Sequence, residues 1–440
     1  MCLVLGGASA AGVMANAFLQ IVSIGLIIAV MLSGALPPVP RPARRLFILG
    51  GLWATLLVVQ LIPLPPLLWE HLPGRLDALH AFRLADIRPG WQPISLVPDA
   101  TIAVFLSLLP PTAMILITLA STRSGRRVAV WALAGVAVVS VLLGLCQKAG
   151  GALSPLYPYA ITNAGSPVGF FANRNHLGTL LLCALPFIPA ALLPSQGDAR
   201  PWRNWAVAAL ILVLAGSAAL TGSTAAILLL APAAAGCWFV ASDGRGRRLS
   251  RLGGGIVLAL LVMAAFACAW NFPANGKSDI SQHRWIITSL TVRAALDFMP
   301  FGSGGGSFRQ IYPAYENPED ASPEFINHAH DDYAEIALEY GAPGILLALG
   351  AVGLWGERMR VLWRSPRNGQ RIARAGGVAV GIVLLHSLVD YPARTAAIAV
   401  LMAFAATLMA TPSALVEEPP RRLRSRRARS GSLMVMIDDL

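Results

Sequence analysis

The side chains best suited to moving protons stand together late in the chain, in His328-Ala329-His330-Asp331-Asp332, with Glu335 and Glu339 just beyond. An imidazole has a reference pKa of about 6.5, so near neutral pH it accepts a hydroxyl proton and releases it again. Upstream stands Arg284 beside Trp285, and earlier still the run Asn173-Arg174-Asn175-His176. A guanidinium keeps its charge and presents a planar fork of donors that matches phosphate oxygens. Each residue also has a plainer reading. His330 would be a loop histidine bonded to backbone carbonyls, Arg284 an arginine reaching for a membrane interface, and Arg174 part of a helix cap. Arg293 and Arg309 would be solvated or interfacial charges, and Asn173 and Asn175 would satisfy backbone groups at a helix start. The alternation of His328, His330, Asp331 and Asp332 is not a diagnostic metal spacing such as HExxH, so no metal is expected. Gly302-Ser303-Gly304-Gly305-Gly306 is no phosphate loop either, because no Gly-Lys-Ser/Thr follows it.

Local pattern indicates how these residues are held. Asp332 and Glu335 have the D-x-x-E spacing of a capping box and predict a helix starting there. Tyr333, Ile336, Ala337 and Tyr340 give its apolar stripe, with Asp331, Glu335 and Glu339 on another. Gly341, Pro343 and Gly344 are expected to break it, which leaves His330 at an accessible turn. Trp285, Ile286, Leu290, Ala294 and Phe298 recur at helical spacing and predict a surface helix opened by Arg284. Pro300 ends it, and a flexible turn is expected over 302–306. His386 and Asp390, four apart, share a helix face and read first as a structural pair.

These segments sit among apolar runs. Hydrophobic residues make up 56% of the 440 and charged residues only 13%, against roughly 25% charged in soluble chains. About 20 apolar residues cross a bilayer as a helix, the form in which the backbone satisfies itself in lipid. Eleven spans follow: 17–36, 46–66, 101–120, 128–146, 177–194, 205–222, 224–241, 252–270, 343–361, 376–392 and 395–411. The segment Leu3 to Ala10 resembles the remnant of an earlier helix, leaving eleven or twelve open. Of 34 basic residues, 24 fall in alternate loops and the C-terminal tail, which the positive-inside rule assigns to the cytoplasm. Fifteen of 22 acids lie on the other side. The net charge of +12 therefore reads as topology rather than nucleic-acid binding. The five cysteines show no CxxC spacing and suggest neither a zinc site nor a disulfide framework.

The expected organisation is spans one to eight over 1–270, with outer loops 67–100 and 147–176. A long outer loop over 271–342 carries the active site, spans nine to eleven occupy 343–411, and a basic tail fills 412–440. Connections as long as 271–342 are uncommon unless functional or disordered, and its density of His, Arg, acidic and aromatic residues argues for function.

The stretch His328-Ala-His-Asp-Asp-Tyr-Ala-Glu335 running into Glu339-Tyr-Gly341 resembles the O-antigen ligase and polymerase family of membrane glycosyltransferases. Gly169-Phe-Phe-Ala-Asn-Arg-Asn-His176 and Arg284-Trp285 leading to Pro300-Phe-Gly-Ser-Gly304 resemble the same family. The resemblance implies an all-α, polytopic, GT-C-like membrane fold in a bacterial inner membrane, with the long loop periplasmic and the C-terminus cytoplasmic. It implies a glycan donor on undecaprenyl pyrophosphate, an acceptor sugar hydroxyl on a growing glycan or a lipid A core, and no cofactor. His330 would be the catalytic base and Arg284 the catalytic cation for the departing pyrophosphate. Arg174, Asn175, Asp331 and Arg309 would contact substrate. Two departures stand out: Asp331 replaces the family's usual Asn, and Leu220-Thr-Gly-Ser-Thr224 lacks an Arg often found there, a gap that Arg174 or Arg309 would fill. The competing class is a polysaccharide or lipid transporter or flippase. Nearly charge-free spans and the lack of a visible repeat speak against it.

Overall fold

The computed structural model describes residues 1–9, 13–193, 201–242, 278–317, 326–364 and 370–411. The described chain is an all-α polytopic membrane protein. In order, its principal helices are α1 (Met14–Leu32), α2 (Arg41–Leu61), α3 (Pro98–Ala120), α4 (Arg123–Gly150), α5 (Arg174–Leu192), α6 (Pro201–Leu220) and α7 (Thr224–Ala241). There follow α8 (Ser278–Asp297), α9 (Asp332–Arg364), α10 (Arg371–His386) and α11 (Ala396–Ala410). Among the described residues, eight helices are long and apolar enough to cross a membrane: α1 to α7 and α9. Ten of the eleven expected spans fall on these helices or on α10 and α11; the span at 252–270 and the tail at 412–440 lie outside the described residues.

Sequence sets the helix ends in recognisable ways. Thr122, Asn173, Ser223 and Thr395 each accept a hydrogen bond from an amide in the first turn of α4, α5, α7 and α11. Pro186 interrupts α5, dividing it into Arg174–Ala184 and Phe187–Leu192. The centre of the bundle is α5, whose span is 83% buried against 11% for α1 and α2. It touches α4, α6, α7, α10 and α11. Small residues permit this closeness: a Cβ on Gly376 of α10 would stand 2.5 Å from the Ala405 carbonyl oxygen of α11. The outer helices show Ile21, Ile28, Met31, Ile48 and Leu52 to their surroundings, as helices facing lipid do.

Three local expectations are corrected. The cap of α9 is Asp331, not Asp332: its carboxylate accepts from the amides of Tyr333 (2.9 Å) and Ala334 (3.1 Å). The two acids are adjacent, and Asp332 is drawn away by a tertiary partner described below. The glycine run is not a flexible turn. Residues 302–305 are buried and hydrogen-bonded to the bend in α9, through Ser303 N to Leu338 O (2.9 Å) and Gly304 N to Glu339 O (3.0 Å). The bend itself falls at Gly341, where φ is 60°, and Ala342 N donates to Pro300 O at 2.9 Å. Third, Arg284 does not open its helix; α8 begins at Ser278. At the N-terminus, Cys2–Leu5 forms a single helical turn, and the following Gly6 and Gly7 are tied into the bundle by Ala397 N and Ala172 N.

Candidate active site

Helix α9 starts at the same end of the bundle as α5, beside the turn from α10 to α11, so His330 meets residues from both. His330 has φ 55°, a left-handed conformation rare for a side chain with a Cβ. The segment that imposes it is pinned on both sides. Before it, Glu335 reaches back from the first turn of α9: Oε1 meets His328 Nδ1 at 2.9 Å and Oε2 accepts from Ala329 N at 3.0 Å. After it, Asp332 N donates to Ser387 O at 2.9 Å, and Ser387 Oγ donates to Asp332 Oδ2 at 2.7 Å.

So held, His330 directs Nδ1 onto Asp390 Oδ1 at 3.1 Å. The Asp390 side chain is fully buried and that of His330 is 23% exposed, so the pair runs from interior to surface. Asp390 Oδ2 accepts from Asn175 Nδ2 at 2.6 Å. Burial alone would raise the Asp390 pKa, but the His330 hydrogen bond and the imidazoles of His176, His330 and His386 hold it well below the usual carboxylate range. An ionised carboxylate only accepts, so Nδ1 of His330 carries the proton, and in the neutral ring the lone pair lies on Nε2. The arrangement is an imidazole oriented by a buried carboxylate.

Around it lies an aromatic and imidazole wall. The Tyr391 ring stands 4.2 Å from His328, 5.1 Å from His330 and 5.2 Å from His176, centroid to centroid. Burial lowers the His328 pKa against the opposing pull of Glu335. His386 uses Nδ1 on the Thr179 hydroxyl at 2.7 Å and lies 4.0 Å from Asp390. The expected His386–Asp390 pair is thus a minor contact beside Asp390's bonds to His330 and Asn175.

The cations converge from two elements. On α8 the buried stripe is Ile287, Thr291, Ala294, Ala295 and Phe298. Arg284, three residues before Ile287 and seven before Thr291, falls on that stripe rather than on the exposed face of Trp285 and Leu296. It lies near enough to Arg174, His386 and Tyr391 to act on their charge balance. Arg174 is the first residue of α5, directly after the cap Asn173. Neither guanidinium has a carboxylate partner among the described residues, and both are partly exposed. Two guanidiniums in electrostatic range of each other, neither paired with a carboxylate among the described residues, favour an anion.

Of the residues expected to act, His330, Arg284, Arg174 and Asn175 come together. Asn175 does so through Asp390 rather than by facing outward. Asp331 is occupied as a helix cap, and burial raises its pKa against the two amides it accepts from. Arg309 lies on the short helix Phe308–Ile311, beside the stacked rings of Phe308 and Tyr312. Sequence reasoning missed Asp390 as the partner of His330, together with His176, Tyr391 and Arg394. The one signal for Asp390 was an acid at the end of an apolar run, where ionisable groups tend to be functional. Arg394 donates to Asp332 (3.2 Å), Glu335 (3.0 Å) and Glu339 (3.1 Å). Among the described residues, no group of three or more His, Cys, Asp or Glu side chains is arranged to hold a metal ion.

No curated protein matches the chain. A family model described as O-antigen ligase matches residues 207–349, from α6 through Arg284, the glycine turn and His330 to the first half of α9. Over these residues the chain is similar to O-antigen ligases, and the match supports the O-antigen ligase and polymerase family, which implies a glycosyltransferase-like activity for this membrane protein.

Proposed function

We propose that the protein transfers or polymerises a glycan from undecaprenyl pyrophosphate onto an acceptor sugar hydroxyl, as an O-antigen ligase or surface-polysaccharide polymerase. The acceptor oxygen attacks the anomeric carbon while its proton passes to Nε2 of His330. The bond from that carbon to the pyrophosphate oxygen breaks, and its electron pair leaves with the pyrophosphate. Asp390 fixes the tautomer and stabilises the imidazolium. Arg284 and Arg174 neutralise the leaving group, so no strong acid is needed. Lipid-linked donor and acceptor reach the site from the bilayer. The excess of arginine on the alternate loops supports a periplasmic site in a bacterial inner membrane with a cytoplasmic C-terminus.

The observation carrying this reading is the partly exposed His330 imidazole, bound through Nδ1 to a buried carboxylate and packed on Tyr391, whose charge surroundings include Arg284, an arginine without a carboxylate partner among the described residues. Purified protein given a polyprenyl-pyrophosphate glycan and an acceptor is expected to form the glycosidic bond. His330→Ala is expected to lose turnover by about 100-fold or more, the usual worth of a general base. Full turnover by that variant would remove His330 from the role, and failure of the wild type with any such donor would overturn the transferase reading.

A further inference from the structure

Asp332, Glu335 and Glu339 lie at i, i+3 and i+7 on one face of α9, all buried. Three carboxylates so placed repel one another. A single guanidinium answers them: Arg394 Nε meets Asp332 Oδ1 at 3.2 Å, and Nη1 meets Glu335 Oε1 at 3.0 Å and Glu339 Oε2 at 3.1 Å. Burial alone would lower the Arg394 pKa, yet the three acids raise it well above its usual value, so the charge is permanent. Position gives this cluster its meaning. Arg394 closes the turn Pro392–Arg394, four residues after Asp390, while Asp332 and Glu335 hold the residues flanking His330. The two halves of the base therefore come from different segments, and the Arg394 clasp joins those segments.

We propose that Arg394 is a positioning residue for glycosyl transfer: its guanidinium fork docks the Asp390 turn onto the start of α9 and thereby sets the His330–Asp390 contact. The proposal rests on the transferase reading above and adds a residue outside the reacting groups to it. It requires the fork and not merely the charge. A lysine supplies one compact ammonium and does not reproduce donors at Nε and Nη1 in fixed relation.

Two readouts test it. In the first, histidine modification by diethyl pyrocarbonate is followed peptide by peptide in wild type and Arg394→Lys. Loosening of the segment that holds His330 against Asp390 is expected to expose the ring and raise its rate by about threefold or more relative to the exposed His80, as local opening raises access. An unchanged ratio overturns the proposal. This readout needs no turnover, so an inactive wild type defeats the transferase reading without silencing it. In the second, Arg394→Lys is expected to lower kcat about tenfold with donor KM within about twofold, and to cost less than about twofold when Asp390→Asn is already present, because coupled residues are non-additive. Additive losses, or a lowered melting temperature with kcat per folded molecule intact, would reduce Arg394 to a structural ion pair and overturn the proposal. Should Arg394→Lys fail to accumulate, Arg394→Gln with Glu339→Gln removes one of the stranded carboxylates and carries both readouts.

Discussion

Replacing Asp390 by Asn tests the orientation of the base with almost no change in volume. The outcome can be worked out from Asn175. Asn175 Nδ2 donates to Asp390 Oδ2 at 2.6 Å. In Asp390→Asn the new amide must keep its oxygen toward that donor, which turns its NH2 toward His330 Nδ1, now 3.1 Å from Oδ1. A donor facing Nδ1 selects the tautomer protonated at Nε2, and Nε2 then has no lone pair for the acceptor hydroxyl. The loss is that of a general base, about 10²- to 10⁴-fold in kcat. At 1.36 kcal/mol per tenfold this corresponds to about 3–5 kcal/mol of transition-state stabilisation. Donor KM is expected to move little, since the arginines are untouched. The assay is steady-state transfer by purified protein over a donor series. The same geometry predicts a rescue. With Asn175→Asp added, the carboxylate at 175 accepts from the NH2 of the residue at 390, whose oxygen then faces His330 and restores the productive tautomer. Recovery of about tenfold or more is expected, because the two sites act as a unit. Wild-type kcat in Asp390→Asn, or a double variant no better than the single, would refute the tautomer argument.

Arg284→Lys keeps a charge on the buried stripe of α8 but loses the fork, and turnover is expected to fall about tenfold; wild-type rates would leave Arg284 as an interfacial residue. Asp331→Ala removes the cap of α9 and is expected to cost about 1 kcal/mol in thermal unfolding, with turnover per folded molecule nearly unchanged. A selective loss of acceptor affinity instead would return Asp331 to substrate binding. Gly341→Ala places a Cβ at φ 60° against the Pro300 carbonyl, and the bend of α9 has no room to yield. Destabilisation by more than about 1 kcal/mol is expected in denaturation, and a neutral result would contradict the described bend.

The helical layout was legible because lipid demands long apolar runs, and such runs are a local property of sequence. The place of His330 directly before a helix start was legible for a related reason, since the start of α9 is marked by neighbouring residues. The limits appear where two adjacent residues are chemically equivalent. Asp331 and Asp332 both suit a helix cap, and the D-x-x-E spacing favours Asp332. What decides is Arg394, some 60 residues further on, which takes Asp332 for itself. Likewise Asp390 has a local partner in His386 at four residues and a distant one in His330 at sixty, and the distant one forms the shorter contact. No local pattern ranks those two.

That ranking also bears on why a membrane bundle keeps such a costly group inside. A carboxylate with no exposure forfeits its hydration, and in a low-dielectric interior one partner rarely restores the loss. Asp390 has the Asn175 amide on one oxygen and the His330 ring on the other, with His176 and His386 close by. Only His330 among these reaches the surface. Had the task been structural, the Asn175 contact with an apolar surround would be served by a neutral side chain at lower cost. A buried anion whose surface-reaching partner among the described residues is one partly exposed imidazole makes sense when that imidazole must become positively charged and return, which is the cycle of a base. His330 is also the member of the group held in a strained backbone conformation, with φ 55°. Strain at the proposed base and charge behind it both bear on the same atom, Nε2, and both lose their rationale if Nε2 never receives a proton.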